Sequence, residues 1–192
     1  VVNHLIPQKG IDILLEALPT LLDEGLRFAI VAVGDGELER ALASAAARRP
    51  DRVAFRAVFG DPIARRVYAG ADLFAMPSRF EPCGLPQMMA PKYGCLPIVR
   101  NTGGLHDTVE QLDIGASIGN GFVFETFDSN GLFWAIDQAM NFWHLPAEVK
   151  ARQIARIMRE ASARFNHDVT AARYIEIYES MVHRPLVRGA EA

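Results

Sequence analysis

The 192-residue sequence contains only two cysteines, Cys83 and Cys95, which are too few for a disulfide framework or a cysteine-based metal site. No apolar run approaches the ~18 residues that a transmembrane helix requires. Basic residues are not in excess either: the formal net charge is −3 and the pI is about 6.0. Because nucleic-acid-binding proteins present a basic face, this balance argues against a nucleic-acid partner and, with the lack of apolar runs, against a membrane protein.

Targeting patterns, internal repeats and low-complexity segments are also missing, as are carboxylates and histidines at metal-ligand spacing. We therefore expect no metal and no cofactor, and a reducing cytoplasmic location. The first residues, Val1 to Asn3, already have a strand pattern, so we interpret the chain as part of a longer protein. Its length suffices for one domain with a sizeable core.

Apolar segments of strand length alternate with segments of helical periodicity along the chain. The predicted strands are 1–5, 28–33, 53–59, 73–77, 96–100 and 121–124, and the predicted helices are 11–22, 37–49, 62–70, 84–93, 132–143, 154–165 and 174–182. Strands that are apolar on both faces and joined by helices indicate a parallel sheet covered on both sides. The pattern therefore predicts an α/β fold with a Rossmann-like sheet followed by C-terminal helices.

Three details of these helices are specific predictions. Pro19 lies inside the first helix and should kink or restart it. Pro86 suits a first helical turn, where its missing N–H is not needed. Aromatic residues at helical spacing, such as Tyr174 and Tyr178, are typical of a core-facing stripe, so we expect the last helix to be packed.

Unusual loops follow five of the predicted strands. They are His4–Lys9, Gly34–Gly36, Phe59–Asp61, Ser78–Gly84 and Asn101–Gly104. In an open α/β sheet, ligands bind beyond the carboxyl ends of the strands. These loops therefore predict a single cleft at one edge of the sheet.

The most distinctive loop is Ser78–Leu85, with the sequence SRFEPCGL. Its central carboxylate, Glu81, is flanked by an aromatic residue and a proline, a setting that solubility alone does not explain. A polar loop between a strand and a helix offers free backbone N–H groups to an anion or a sugar hydroxyl. The loop is therefore a candidate ligand site.

This loop resembles the signature of bacterial glycogen synthases and plant starch synthases. The resemblance extends in the same order to Gln8–Lys9–Gly10, Gly34–Asp35–Gly36, Gly70–Ala71–Asp72 and Thr102–Gly103–Gly104–Leu105, over roughly the first 125 residues. Those enzymes are retaining glycosyltransferases with two Rossmann-like domains, the GT-B architecture, and use a sugar nucleotide. The resemblance therefore implies that this chain is one half of a two-domain GT-B enzyme.

The resemblance also implies roles for particular residues. Lys9 and Glu81 are the expected catalytic residues: Lys9 binds the phosphates of the nucleotide, and Glu81 meets the glucosyl group or stabilises its oxocarbenium-like form. The remaining expected substrate-binding residues are His4, Gly34, Asp35, Phe59, Cys83, Gly84, Leu85, Thr102, Gly103 and Gly104. Phe59 takes the position where the family stacks an aromatic ring on the base. Cys83 is expected to act through its N–H rather than as a nucleophile.

Two positions depart from related sequences. Many relatives have an arginine five residues before the lysine, where this sequence has His4. Histidine is only partly charged near neutral pH and cannot make the bidentate phosphate contact of arginine. Related GT-B enzymes often carry a second glutamate eight positions after the first, where this sequence has Met89, as expected for the synthase branch.

The implied function is the donor-binding half of an enzyme that moves glucose from ADP-glucose or UDP-glucose to the 4-hydroxyl end of an α-1,4-glucan. We expect residues 1–183 to form the nucleotide-sugar-binding domain and 184–192 a flexible tail. The acceptor-binding N-terminal domain would lie outside this chain, so the chain alone should be inactive. If the source were a plant, the location would be a plastid.

Two alternatives stay open. The chain could belong to a related GT-B glycosyltransferase with another donor or acceptor, such as a lipid or a protein. It could also be a catalytically weakened module that binds glucan or nucleotide, for which His4 is the main support.

Overall fold

The computed structural model describes residues 1–58 and 60–186, in which six parallel strands alternate with helices. The strands are β1 (Val2–Leu5), β2 (Phe28–Gly34), β3 (Val53–Arg56), β4 (Leu73–Met76), β5 (Leu96–Arg100) and β6 (Phe122–Phe124). They pair in two three-stranded parallel sheets with the orders β1-β2-β3 and β4-β5-β6. In the register, Leu5 lies opposite Gly34, and Met76 lies opposite Val99.

In the same residues, eight α-helices connect and follow these strands. They are α1 (Ile11–Asp23), α2 (Gly36–Arg48), α3 (Asp61–Gly70), α4 (Pro86–Met89), α5 (Gly103–Thr108), α6 (Ser129–Trp143), α7 (Ala147–Arg164) and α8 (His167–Val182). Short 3₁₀ segments at Pro7–Lys9 and Ala90–Tyr93 complete the order.

Side chains along each strand alternate between two hydrophobic clusters, one on each face. Ile30 and Ile98 join the cluster that contains α1 and α6, whereas Val31 and Val99 join the cluster that contains parts of α3 and α5. Each cluster draws residues from both three-stranded sheets. The two sheets therefore lie in one layer between two layers of helices, which confirms the predicted Rossmann-like α/β fold.

The predicted restart at Pro19 was wrong, because α1 is continuous from Ile11 to Asp23. Pro19 lies on the exposed side of the helix, where water can satisfy the carbonyl that loses its donor. On the other side, Leu18, Leu21 and Leu22 are buried, and α1 packs against α6. This packing stabilises the helix on both sides of the proline.

Two predicted elements are shorter than expected. The strand predicted over 53–59 ends at Arg56, and Phe59 lies outside the described residues. The helix predicted over 84–93 is one α-turn followed by a 3₁₀ turn. Pro86 does occupy the first turn of α4, as predicted. The 3₁₀ turn begins at Ala90, and Pro91 is its second residue.

The core interpretation is confirmed for α6 and much of α7, where Leu132, Ile136 and Ile157 are buried. It was wrong for α8, in which every side chain is half-buried or exposed. Tyr174 and Tyr178 are 56% and 51% exposed. Periodicity shows that a helix has an apolar face, but it carries no information about what covers that face. Of the predicted tail, residues 187–192 lie outside the described range.

Within the described ranges, no helix is long and apolar enough to cross a bilayer.

Candidate functional site

The loops after β1 and β4 pack directly against each other. Gly10 has φ +68°, and a Cβ at this position would lie 1.8 Å from the carbonyl oxygen of Pro77, so only glycine permits the approach. The backbone N–H of Arg79 donates to the carbonyl of Gln8 at 2.8 Å, and the Gln8 amide donates to the carbonyl of Phe80 at 2.9 Å. These contacts fix the start of the SRFEPCGL loop beside the first helix.

This contact brings the two predicted catalytic residues together. The ammonium Nζ of Lys9 lies 2.6 Å from Oε2 of Glu81, and the hydroxyl of Ser78 donates to the same oxygen at 3.3 Å. Glu81 is only 6% exposed. Because a buried carboxylate needs a charged or hydrogen-bonding partner, Lys9 and Ser78 fix its position.

The loop after β5 packs against the other side of the Glu81 loop. The N–H of Gly104 donates to the carbonyl of Glu81 at 2.8 Å. A Cβ on Gly103, which has φ +49°, would lie 2.1 Å from that carbonyl oxygen, and a Cβ on Gly104 would lie 2.1 Å from the carbonyl oxygen of Cys83. Thr102, just before them, is the N-cap residue of α5. The predicted substrate-binding positions Thr102 to Gly104 therefore adjoin Glu81.

Gln87 is a residue of this site that the sequence motifs did not indicate. Its side chain is fully buried, and its Nε2 donates to the carbonyls of Cys83 and Gly84 at 2.9 and 3.1 Å and to the Thr108 hydroxyl at 3.1 Å. The Thr108 hydroxyl donates in turn to the carbonyl of Gly104. Gln87 thus ties the Glu81 loop to Thr108, the last residue of α5, and through it to Gly104 near the start of the same helix. The sequence did contain one signal for Gln87: it is the polar residue in the otherwise apolar segment Pro86–Met89 that forms α4.

The end of the loop is open to solvent. Cys83 is exposed, and the exposed fractions of Leu85 and Phe80 are 63% and 52%. Gly84 has φ +72°, a left-handed conformation that favours glycine. The loop therefore presents exposed residues around a buried carboxylate.

The loop after β2 contains Gly34 and Asp35. The Asp35 carboxylate caps α2, since its Oδ1 accepts hydrogen bonds from the N–H groups of Glu37 and Leu38 at 2.8 and 3.0 Å. These two hydrogen bonds hold the pKa of Asp35 below its ordinary value, and the bond from Leu38 has the larger effect. The N–H of Gly34 donates to Oε1 of Glu39 at 3.0 Å. Asp35 therefore has a structural role that the motif alone did not reveal.

His4 lies at the carboxyl end of β1, opposite Val33 of β2, and is exposed. It is thus on the same sheet edge as Lys9, which follows the same strand. Phe59, the predicted base-stacking residue, lies outside the described residues, and its role stays a prediction.

Two arginines near the Lys9–Glu81 pair were also missed. The Arg79 guanidinium lies 4.0 Å from the ring centre of Phe127, and that of Arg100 lies 5.6 Å from it. Arg100 Nη1 donates to the carbonyl of Arg79 at 2.6 Å. The Phe127 ring also lies close to Gly10, since a Cβ on Gly10 would be 3.3 Å from it. Because both guanidinium groups lie over this ring, they are near the loop that carries Lys9. With Lys9 they place three cationic side chains at this edge of the cleft, two of which pair with carboxylates: Lys9 with Glu81 at 2.6 Å and Arg79 with Asp12 at 3.8 Å.

In the part of the chain that the structure describes, no group of three or more His, Cys, Asp or Glu residues is placed to hold a metal ion.

The sequence matches the family model for glycosyl transferases group 1 over residues 1–156. It is 36% identical over 178 residues to a glycogen synthase of Thermotoga petrophila, covering 93% of this chain and 36% of that protein. It is 41% identical over 187 residues to a glycogen synthase of Serratia proteamaculans, covering 94% of this chain and 38% of that protein. The chain thus spans less than two fifths of the length of these relatives.

A solved structure with a similar fold is the catalytic domain of starch synthase IV from Arabidopsis thaliana bound to ADP and acarbose. The TM-score is 0.81 at 33% sequence identity, and the match covers 95% of this chain and 38% of that one.

Proposed function

The chain belongs to the family of group 1 glycosyl transferases and has the fold of a GT-B domain. From this family and fold we propose that the chain is the donor-binding half of a retaining glucosyltransferase. In this proposal the whole enzyme transfers glucose from ADP-glucose or UDP-glucose to the 4-hydroxyl end of an α-1,4-glucan. The identity to glycogen synthases and the starch synthase fold support this reaction class. The acceptor is held by a domain outside this chain.

The Lys9–Glu81 pair is the observation that carries the proposal. An ammonium group and a carboxylate at 2.6 Å offer a cation for a diphosphate and an anion for a sugar within one small site. Lys9, Arg79 and Arg100 offer cationic partners to the diphosphate of a nucleotide sugar, which competes with Glu81 for Lys9 and with Asp12 for Arg79. The donor therefore lies with its phosphates toward Lys9 and its glucosyl group toward Glu81.

Glu81 has two tasks in this arrangement. In the ground state its carboxylate accepts hydrogen bonds from sugar hydroxyls. As the diphosphate departs, the same negative charge stabilises the oxocarbenium-like sugar, and the fixed position of the carboxylate between Lys9 and Ser78 makes this stabilisation preorganised. Lys9 meets the charge that develops on the leaving group.

The glycine loops complete the donor site. Gly103 and Gly104 allow the backbone after β5 to approach both the Glu81 loop and the phosphates, and Gln87 holds Cys83 and Gly84 where their N–H groups can reach the sugar. Both capping hydrogen bonds to Asp35 go to Oδ1, so Oδ2 is the oxygen for a donor contact. Phe59 stacks on the base in this proposal.

His4 supports a second candidate, a module that binds nucleotide or glucan with little catalytic power. Histidine in place of a phosphate-binding arginine lowers the positive charge available to the diphosphate at neutral pH.

A donor screen by calorimetry tests the proposal. We expect the chain to bind ADP and ADP-glucose or UDP-glucose but to transfer no glucose to a maltooligosaccharide primer, because catalysis requires the acceptor to be held against the donor. Glucan elongation by this chain alone would refute the half-enzyme assignment. Failure to bind either nucleotide sugar would refute the donor-site assignment.

A further inference from the structure

A groove of about 1310 Å³ lies on the β6 side of the molecule, outside the proposed donor site. Its walls come from the segment 106–111, the first turns of α6 and the last turns of α7. The buried side chains of Val109, Phe124 and Ile157 form an apolar floor. None of the described residues that line it is one of the predicted catalytic or substrate-binding residues. Asn101 precedes the predicted residues Thr102 to Gly104, and Thr108 accepts a hydrogen bond from Gln87, so the groove adjoins the donor site but has its own lining.

Trp134 is the main aromatic group on the rim of this groove. It projects from α6 and is 52% exposed, although tryptophan is usually largely buried. A broad, rigid ring with a polar N–H is well suited to contact the apolar C–H face of a pyranose ring while neighbouring groups bond the hydroxyls.

Polar side chains at one end of the groove hold one another in place. Asn101 Nδ2 donates to Oε1 of Glu125 at 2.8 Å, and Asn101 Oδ1 lies 2.6 Å from Nδ1 of His106. This chain of contacts uses one carboxylate oxygen of Glu125 and one ring nitrogen of His106. Such a preorganised row of amide, carboxylate and imidazole groups matches the mixed donor and acceptor character of sugar hydroxyls.

The charge of the lining argues for a neutral ligand. Among the described lining residues, the carboxylates of Asp107, Glu110, Glu125 and Glu160 outnumber the guanidinium of Arg164, even though Glu160 is paired at 2.7 Å with Arg156. An acidic groove disfavours phosphates, nucleotides and other anions. Its volume exceeds the roughly 300–1,000 Å³ of sites for drug-sized ligands, so an oligomer fits better than a monosaccharide.

We propose that this groove is a second carbohydrate site that binds a neutral oligosaccharide, with Trp134 as the stacking platform. The choice of an α-1,4-glucan segment as that oligosaccharide rests on the proposed function. Binding there would hold a long acceptor chain on the domain that also carries the donor.

The chain's two tryptophans permit a direct test, with maltoheptaose as the probe. Trp143 is half-buried and lies against the Lys150 ammonium at 4.5 Å, away from the groove lining. We expect maltoheptaose to cause a saturable fluorescence change in wild type and in Trp143→Phe, where Trp134 is the only reporter. The change should be lost in Trp134→Phe.

Calorimetry with matched variants gives the second measurement. Trp134→Ala should weaken maltoheptaose binding about tenfold or more, as for loss of one aromatic anchor. Tyr178→Ala removes an aromatic side chain of nearly the same exposure from α8 and should leave the affinity unchanged. Asn130→Ala, on the groove rim, should also weaken binding, which guards against a folding defect specific to Trp134→Ala.

Two results would overturn the proposal: no saturable maltoheptaose binding, or binding that Trp134→Ala leaves unchanged. The proposed donor site is tested separately, because Trp134→Ala should bind ADP-glucose as tightly as wild type. If the wild-type chain binds maltoheptaose but not ADP-glucose, only the donor-site proposal fails. If it binds ADP-glucose but not maltoheptaose, only the groove proposal fails.

Discussion

Lys9 Nζ and Glu81 Oε2 lie 2.6 Å apart, although 72 positions separate the two residues in the chain. The cation proposed to bind the diphosphate is thus paired with the carboxylate proposed to bind the sugar. A bound diphosphate competes with Glu81 for Lys9, and the Glu81 charge also repels the diphosphate. This relationship lets the roles of the two residues be separated by binding experiments.

Glu81→Gln should bind ADP at least as tightly as the wild-type chain, because the substitution removes a negative charge near the diphosphate and weakens the hold on Lys9. The gain in affinity from ADP to ADP-glucose should shrink, since the glutamine amide is a weaker acceptor for sugar hydroxyls. Calorimetric titration of both ligands measures this ratio. Loss of ADP binding in Glu81→Gln would contradict the division of roles.

Lys9→Met should weaken the binding of both ligands by about tenfold to a hundredfold, because a hydrogen bond to a charged group contributes about 1.5–3 kcal/mol. The straight methionine chain retains most of the packing of the lysine stem. Calorimetry with ADP and ADP-glucose measures the loss. Equal affinities of wild type and Lys9→Met for ADP would show that the lysine does not meet the diphosphate.

Gly104→Ala should destabilise the protein by about 1–3 kcal/mol and weaken ADP-glucose binding, because the new Cβ would lie 2.1 Å from the Cys83 carbonyl oxygen. Gly70→Ala is the matched control, since nothing lies within 4 Å of a Cβ at that position. It should leave both properties close to wild type. Thermal unfolding and calorimetry provide the comparison, and similar behaviour of the two variants would argue against the close loop contact.

The layered fold and the common sheet edge could be predicted because they depend on local patterns. Apolar runs such as 28–33 have the length of buried strands, and parallel strands send their following loops to one edge. The Lys9–Glu81 pair and the role of Gln87 could not be predicted from these patterns, because each depends on contacts between loops far apart in the sequence. Tyr174 and Tyr178 failed as core predictions for the same reason: the covering surface is not encoded in the helix.

The two cysteines should differ sharply in reactivity toward iodoacetamide. Cys83 is exposed, whereas Cys95 is fully buried, and that burial raises the pKa of its thiol to about 12. Since the thiolate is the reactive form, native protein at about pH 8 should be labelled only at Cys83, and unfolded protein at both. ADP-glucose should slow the labelling of Cys83. Native labelling of Cys95 would contradict the packing around β5.

The side chain at position 4 decides which contact the proposed donor site offers to the diphosphate beside Lys9. His4 is exposed at the carboxyl end of β1, on the sheet edge that also carries Lys9. An imidazole cannot make the bidentate phosphate contact of a guanidinium group. ADP-glucose is the suitable probe, because its diphosphate is the one that the proposed reaction uses.

Two substitutions of His4 test whether position 4 meets the diphosphate. His4→Arg should tighten ADP-glucose binding, because arginine is always charged and offers a bidentate contact. His4→Ala should weaken binding, because it removes the hydrogen-bonding ring. Calorimetric titrations of the three proteins with ADP-glucose under the same conditions test both expectations. Identical affinities for wild type, His4→Arg and His4→Ala would show that the side chain at position 4 is turned away from the donor, and the cation for the second phosphate contact would then have to come from another residue.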